Sequence, residues 1–205
     1  GQRSVNVHDH LLIRDSNRYL FGEGMETYEG SPYLTDTFTI AYVYQGSLKF
    51  TGVPMRLNVF ADVMEFKYED QVFLLEPDPR ITKIEMQDQI FVVENFKFHS
   101  KTRDGFVELL AEGKASLFSK KMMNFREKDD LKEIPSKFSR LPDTYYYQMG
   151  DQPVVKVGNM KNLIESFPSH HEELGDFVKL EKISAKNGEE LLKLFKYYNS
   201  ISGVQ

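Results

Sequence analysis

The sequence contains no cysteine among its 205 residues. Disulfide bonds, thiol catalysis and cysteine-ligated metal sites are therefore excluded. A chain of this length buries roughly 70% of the surface that its unfolded form exposes, so its core can stabilise the fold without a cross-link or a metal. The absence of cysteine does not fix the compartment, because oxidising and reducing environments both tolerate it.

Three further shortages limit the partners of the chain. No apolar run approaches the ~20 residues of a membrane-spanning helix, so we expect no transmembrane segment. The 26 Lys and Arg residues are scattered among 31 Asp and Glu residues, and the net charge is −5. Nucleic-acid-binding domains usually carry a basic stripe, so we expect no nucleic-acid partner. Tryptophan is also absent, which disfavours a sugar-stacking surface.

Aromatic residues are plentiful, with 16 Phe and 11 Tyr, and both types favour strands. Residues 53–75 organise the pattern, because their apolar and polar side chains alternate as in a strand with one buried face. The alternation changes parity at Ala61-Asp62 and breaks again at Glu69-Asp70, which predicts a turn or bulge at each place. We therefore expect a three-stranded antiparallel meander in which Leu57 and Phe66 are buried.

Further short strands are predicted on both sides of this meander. They are Thr37–Tyr44, Ser47–Phe50, Ile81–Met86, Ile90–Phe96, Phe106–Ala111, Ala115–Met122, Thr144–Met149 and Val154–Val157. Between them, residues 99–104 are polar and residues 125–142 are charged and carry two prolines, so both segments are predicted as loops.

The last quarter of the chain changes to a helical period. Asn159 is predicted to cap a first short helix that Pro168 ends. Residues 169–172 match a capping box, in which Ser169 and Glu172 would satisfy the first amides of a second helix. Asn187 begins the third and clearest helix. Its inward residues are Leu191, Leu194, Phe195 and Tyr198.

This order of elements predicts an α+β fold. We expect a strongly curved antiparallel β-meander, barrel-like or half-barrel, followed by a small C-terminal unit of short helices, because long flat open sheets are uncommon. Residues 1–29 are interpreted as an irregular N-terminal arm and residues 30–157 as the antiparallel β domain. Residues 158–205 are interpreted as short helices that pack in part on the sheet and are not independent.

Several stretches resemble a family of uncharacterised exported proteins of Bacteroidota. They are GSPYL (30–34), VPMRLNVFADVMEFK (53–67), GFVELLAEGKASL (105–117), DTYYYQMGD (143–151) and the tail FPSHHEELGDFVKLEKISAKNGEELLKLFKYYNSI (167–201). The resemblance implies a signal peptide that is removed and a periplasmic or secreted location. The chain also begins at Gly1 without methionine, which we interpret as a trimmed start from which either a signal peptide or a disordered segment was removed. The resemblance implies no activity and carries over no catalytic residue.

Histidines give two candidate sites. His8 and His10 would share one face of an extended segment, so two imidazoles could hold a metal there, but no third ligand is apparent. The alternative is an ordinary exposed arm, and we expect no metal. His170 and His171 are neighbours in the first turn of a helix and cannot share a face. They are interpreted as solvated cap residues.

Tyrosines and acids give the remaining candidates. Tyr145, Tyr146 and Tyr147 could offer a stacking surface for a flat ligand, but alternation sends Tyr146 to one face and its neighbours to the other. Asp62 and Glu65 could act as acid–base groups only in a cleft with a raised pKa. They are interpreted as solvated strand residues.

No sequence motif indicates a reaction. The chain has neither a Gly-x-Ser-x-Gly elbow nor a glycine-rich phosphate loop, so we expect no cofactor and name no catalytic residue. The leading hypothesis is a non-enzymatic envelope protein that binds or scaffolds an envelope protein or lipid. One alternative is a carrier with an apolar cavity inside the sheet. The other is an enzyme whose site is invisible in sequence.

Overall fold

The computed structural model describes residues 28–98 and 100–203, together with the backbone of residues 13–15. The predicted metal ligands His8 and His10 lie outside these residues. The first six strands are β1 (Ile13–Asp15), β2 (Tyr28–Glu29), β3 (Thr39–Gln45), β4 (Leu48–Asn58), β5 (Val63–Tyr68) and β6 (Gln71–Leu75). The next six are β7 (Ile81–Met86), β8 (Gln89–Phe98), β9 (Lys101–Ala111), β10 (Ala115–Arg126), β11 (Ser136–Met149) and β12 (Val155–Lys156). Three helices follow, namely α1 (Met160–Ser166), α2 (His171–Glu181) and α3 (Gly188–Ser202).

The described strands form one sheet in the order β1-β6-β5-β4-β3-β7-β8-β9-β10-β11-β12, and β2 pairs with β11. The β2–β11 pair is parallel, while β3 through β8 are joined as antiparallel neighbours. The path has two separate ends, so the described strands do not close into a ring. The predicted α+β class, with an antiparallel meander followed by short helices, is confirmed.

The β4–β5 hairpin confirms the predicted turn at Ala61-Asp62, where the alternation of apolar and polar residues changes parity. Leu57 lies opposite Met64, and Met55 lies opposite Phe66. Leu57 and Phe66 are both buried. Asp62 adopts a left-handed conformation with φ +57°, which reverses the chain where the alternation changes parity. The hairpin turns at Glu69 and Gln87 also have positive φ, at +53° and +54°.

The predicted loop at residues 125–142 is wrong. Strand β10 continues to Arg126 and β11 begins at Ser136, so only residues 127–135 connect them. Ser136 and Phe138 are buried while Lys137 between them is not, so the first residues of β11 alternate as in a strand with one buried face. The prediction of a loop at residues 99–104 is also wrong in extent, since β9 begins at Lys101.

The chain divides into two compact units. The first unit comprises residues 1–93, 104–106 and 121–142, and the second comprises residues 94–103, 107–120 and 143–205. The core of the first unit comes from the meander strands and includes Val43, Phe50, Met55, Phe66 and Ile84.

The core of the second unit combines strand and helix residues. Ala115, Leu117 and Met149 come from β10 and β11, and the helices add further side chains. The buried helix residues are Leu163, Leu174, Leu191, Leu194, Phe195 and Tyr198. The inward face predicted for α3 is therefore confirmed, whereas the inability of the helices to fold alone stays a prediction.

Two of the three predicted helix starts are confirmed. The Asn159 side chain accepts a hydrogen bond from the amide of Asn162, and the Asn187 side chain accepts from the amides of Glu189 and Glu190. The capping box at residues 169–172 is wrong. His170 occupies the N-cap of α2 in a left-handed conformation without a side-chain cap bond, because the Ser169 hydroxyl contacts the imidazole instead.

Candidate functional site

The three consecutive tyrosines do not form one surface. Tyr146 is 2% exposed, its ring lies 4.8 Å from that of Phe96, and burial raises the pKa of its hydroxyl. Tyr145 and Tyr147 point to the other side, where they pack against the core of the second unit. The alternation along the strand thus separates the three rings.

The interpretation of Asp62 and Glu65 as solvated residues is wrong. Asp62 is 8% exposed and Glu65 is 2% exposed. The Asp62 carboxylate accepts a hydrogen bond from the amide of Phe106 at 3.2 Å. The Glu65 carboxylate accepts from Arg56 Nε at 2.8 Å and from the Tyr33 hydroxyl at 3.1 Å. Both acids are buried because donors distant in sequence cover them.

Arg56 is the centre of this polar cluster in the first unit. It lies directly opposite Glu65 in the β4–β5 register, and its second guanidinium nitrogen is 2.7 Å from the same carboxylate. The guanidinium also stacks 3.5 Å from the Tyr33 ring centre and donates to the Asp36 carbonyl at 2.8 Å. Burial first, and then the Glu65 charge, raise the pKa of Tyr33.

This cluster, which we call the Arg56 clamp (Tyr33, Asp36, Arg56 and Glu65), is structural. Charge and hydrogen-bonding capacity are matched within it, as buried ionic groups require. Backbone bonds from Leu34 to Leu57 and from Val59 to Pro32 hold the same segment to the hairpin. The clamp therefore fixes residues 32–36 on strands β4 and β5.

The second unit contains a different arrangement. A concavity of about 630 Å3 lies beside the last turn of α3, and we call it the α3 pocket. Its lining includes Lys114, Met149, Asp151, His170, Tyr198 and Ser202. Ligand sites in proteins commonly enclose about 300–1,000 Å3 and combine apolar walls with a few polar groups. The α3 pocket has both properties.

The β9–β10 turn positions Lys114. Asn199 on α3 holds this turn, because its side-chain oxygen accepts from the Ala115 amide at 2.9 Å and its nitrogen donates to the Ala115 carbonyl at 2.9 Å. The approach is so close that a Cβ added to Gly113 would lie 2.6 Å from the Asn199 side chain. The Lys114 ammonium donates to the Ser202 carbonyl at the C-terminal end of α3, where a cation is favourable.

Two hydroxyl groups one helical turn apart line the same pocket. Tyr198 is 2% exposed and Ser202 is 7% exposed. The Ser202 hydroxyl is buried without a hydrogen-bond partner among the described residues. The Tyr198 ring lies 4.6 Å from the Phe167 ring, measured between their centres. Most buried polar groups are paired, so the unpaired Ser202 hydroxyl is unusual in the wall of this pocket.

His170 also lines the pocket. It is the N-cap residue of α2, in agreement with its interpretation as a cap residue, but it is partly buried and not fully solvated. Its Nδ1 lies 2.7 Å from the Ser169 hydroxyl, and its ring lies 6.3 Å from that of Tyr198. His171 is exposed and its Nε2 contacts the Phe167 carbonyl at 2.5 Å. The two histidines therefore differ in role, as expected from their adjacency on a helix.

Two common catalytic arrangements can be compared with the described residues of the α3 pocket. The Ser169–His170 contact resembles a nucleophile with its base, but the described residues provide no carboxylate hydrogen-bonded to the second ring nitrogen, which a triad needs. Nor does the described part of the chain bring together three His, Asp or Glu side chains that could hold a metal ion.

Sequence reasoning missed most of this pocket. Lys114 was part of a predicted turn and Tyr198 was part of a predicted core stripe, and both assignments are correct locally. Their convergence depends on contacts between residues more than 80 positions apart, such as Lys114 with Ser202. Alternation and helical period carry no signal of such pairs.

Comparisons with known proteins add no further guide to function. No protein-family model, curated protein or solved structure matches this chain. Of the helices in the described residues, none is both long enough and apolar enough to cross a membrane.

Proposed function

We propose that the protein is a non-enzymatic cell-envelope protein that binds a small ligand in the α3 pocket. The observation that carries the proposal is the buried Ser202 hydroxyl, which has no hydrogen-bond partner among the described residues, in the wall of a pocket of about 630 Å3. A buried polar group without a partner costs free energy. A bound ligand that supplies the missing bonds would recover that cost.

The envelope location rests on the resemblance to exported proteins. Fractionation of the native organism, followed by immunodetection, tests it directly. We expect the protein in the periplasmic or secreted fraction and not with cytoplasmic markers. Recovery with the cytoplasmic markers would contradict this part of the proposal and leave ligand binding to be judged separately.

The α3 pocket supports a small ligand more than a lipid chain. Lys114 and Asp151 are exposed charged residues of its lining, whereas Met149 and Tyr198 are buried. A carrier of long acyl chains would need a predominantly apolar interior. The mixed lining fits a compact molecule with one polar end and one apolar end.

A methyl NMR screen tests ligand binding at this place. Met149 is buried and lines the pocket, while Met55 lies in the core of the first unit, so the two labelled methyl groups serve as probe and control. We expect members of a fragment library to shift the Met149 signal in a saturable manner and to leave Met55 unchanged. If no fragment shifts Met149, the pocket is not a binding site and the proposal fails.

The Ser169–His170 contact at 2.7 Å supports an enzyme as the second candidate function. A serine hydrolase of this kind would react with a fluorophosphonate probe at Ser169. We expect no labelling above the level of the Ser169→Ala variant, as measured by intact mass. Stoichiometric labelling that Ser169→Ala abolishes would replace the binding proposal with a hydrolase.

A further inference from the structure

We infer that the ligand of the α3 pocket carries a single carboxylate and an apolar tail. This inference rests on the proposed function and adds the chemical class of the ligand. The carboxylate would lie beside the Lys114 ammonium and the Ser202 and Tyr198 hydroxyls. The tail would lie on the apolar part of the lining, which includes Met149 and Ile201.

The charge of Lys114 is the first reason. An ammonium group has three N–H donors, and in Lys114 one of them binds the Ser202 carbonyl. Within the described part of the chain, Lys114 makes no ion pair. Elsewhere in the same unit, exposed lysines such as Lys161 and Lys179 pair with neighbouring acids. Lys114 is thus a positioned cation with unused donors beside a pocket.

The two hydroxyls are the second reason. Tyr198 and Ser202 can both donate to an anionic oxygen, and a carboxylate offers about four acceptor positions. Hydrogen bonds to an ionised acceptor are shorter and stronger than neutral ones. A carboxylate is therefore a ligand group that could use the ammonium and both hydroxyls together.

Asp151 explains why we infer one carboxylate and not two. It lines the pocket with Lys114 and is exposed. A second negative charge on the ligand would have to approach this acid, and like charges destabilise each other. The apolar lining from Met149 and Ile201 offers nothing to a second charged group.

Matched ligand pairs provide the test. Octanoate and octanamide have the same chain and differ in the charge of the polar end, as do 3-phenylpropionate and its amide. We expect each acid to bind at least about tenfold more tightly than its amide, since a hydrogen bond to a charged group contributes more than a neutral one. Calorimetry gives the affinity, and the Met149 methyl signal shows that the ligand is in the pocket.

Variants assign the preference to named groups. Lys114→Gln should lower the affinity for octanoate by at least about tenfold and change the affinity for octanamide little. Lys161→Gln, on the exposed side of α1, should change neither affinity. Ser202→Ala and Tyr198→Phe should each lower the affinity for octanoate by about fivefold. Neither of these two variants should lower the melting temperature, because the Ser202 hydroxyl has no partner in the described part of the chain and phenylalanine keeps the ring that packs on Phe167. A merely structural role would show the reverse, with lower stability and unchanged affinity.

Salt dependence gives a further readout. The affinity for octanoate should fall as sodium chloride is raised, because added ions screen the exposed Lys114 charge, and the affinity for octanamide should not. Lys114→Gln should remove this dependence. Circular dichroism of that variant verifies that α3 still forms.

The outcomes separate the two proposals. If fragments shift Met149 but acids and amides bind equally, the pocket binds ligands and the carboxylate inference is overturned. It is overturned as well if the acid preference survives in Lys114→Gln and Ser202→Ala. If neither the library nor the acids shift Met149, the proposed function itself fails.

Discussion

The Arg56 clamp and the α3 pocket both gather polar side chains from distant parts of the chain. They differ in how fully the hydrogen-bonding groups of those side chains are paired. In the clamp, Glu65 accepts from Arg56 and Tyr33, and the guanidinium is further occupied by the Asp36 carbonyl. In the pocket, the buried Ser202 hydroxyl has no partner in the described residues. Satisfied polar groups hold a segment in place, whereas an unsatisfied group in a concave wall remains able to bond a ligand.

The largest expected effect comes from breaking the clamp. Arg56→Ala leaves the carboxylate of Glu65, which is 2% exposed, without its cation. We expect unfolding to require about 3–5 kcal/mol less, as for other buried pairs that lose one partner. Urea denaturation measures this.

Arg80→Ala is the matched control in the first unit. It removes an exposed pair with Asp78, in which the arginine is 60% exposed. Such pairs contribute about 0–1 kcal/mol. A similar small loss for Arg56→Ala would show that the clamp does not stabilise the first unit.

The next effect concerns the anchor of the pocket. Asn199→Ala removes both side-chain bonds to Ala115, so the β9–β10 turn loses its attachment to α3. We expect a loss of about 1–3 kcal/mol and weaker ligand binding, since Lys114 sits in that turn. Thermal denaturation and calorimetry measure the two effects.

Asn162→Ala is the control for that change, because Asn162 is an exposed asparagine of α1. Its replacement should change stability by less than about 0.5 kcal/mol. An equal loss in both variants would mean that Asn199 acts through general helix stability and not through the turn.

A smaller effect appears at alkaline pH. The folded protein raises the pKa of Tyr33 above its ordinary value of 10, so folding favours the neutral phenol. This contribution is complete below pH 10 and is lost as pH rises towards the folded pKa, because the unfolded chain ionises first. We expect the stability of the protein to fall above pH 10 by less than about 1 kcal/mol per pH unit, after allowance for partial exposure.

Tyr33→Phe should flatten that decline while other tyrosines titrate as before. The measurement is the free energy of unfolding between pH 9 and pH 11, compared between the two proteins. Parallel curves would show that the Tyr33 hydroxyl is not coupled to folding.

The smallest effect is expected from Ser202→Ala without ligand. Its hydroxyl has no partner in the described residues, so its removal should raise stability by between 0 and about 1 kcal/mol. A clear destabilisation would mean that the hydroxyl is bonded in solution, and the contrast between clamp and pocket would disappear.

The fold was predictable from the sequence where the information is local. The change of alternation at Asp62 correctly predicted that Leu57 and Phe66 are buried. The helical spacing of four apolar residues correctly predicted α3 and its buried face. The same local reading failed at residues 125–142, because charge and proline indicate exposure and not the absence of a strand. It failed at Ser169 because the next residue, His170, takes the N-cap position in a left-handed conformation and its imidazole contacts the Ser169 hydroxyl.

The candidate site was much less predictable, for a physical reason. Lys114 and Ser202 are 88 positions apart, and Tyr33 and Glu65 are 32 apart. Neither pair shares a turn or a strand, so no periodic pattern connects its members. Such pairs follow from the order of strands and from how helices pack on them, which alternation and helical period do not specify.

The hairpin turns at Glu69 and Gln87 have a practical consequence for experiments on the bound state. Both residues are exposed and adopt positive φ, a conformation that costs about 1–2 kcal/mol in residues with a Cβ and that glycine adopts freely. Glu69→Gly and Gln87→Gly relieve that cost at positions outside the α3 pocket. The double variant would be a more stable protein for crystallising ligand complexes, and the lining of the α3 pocket would be unchanged.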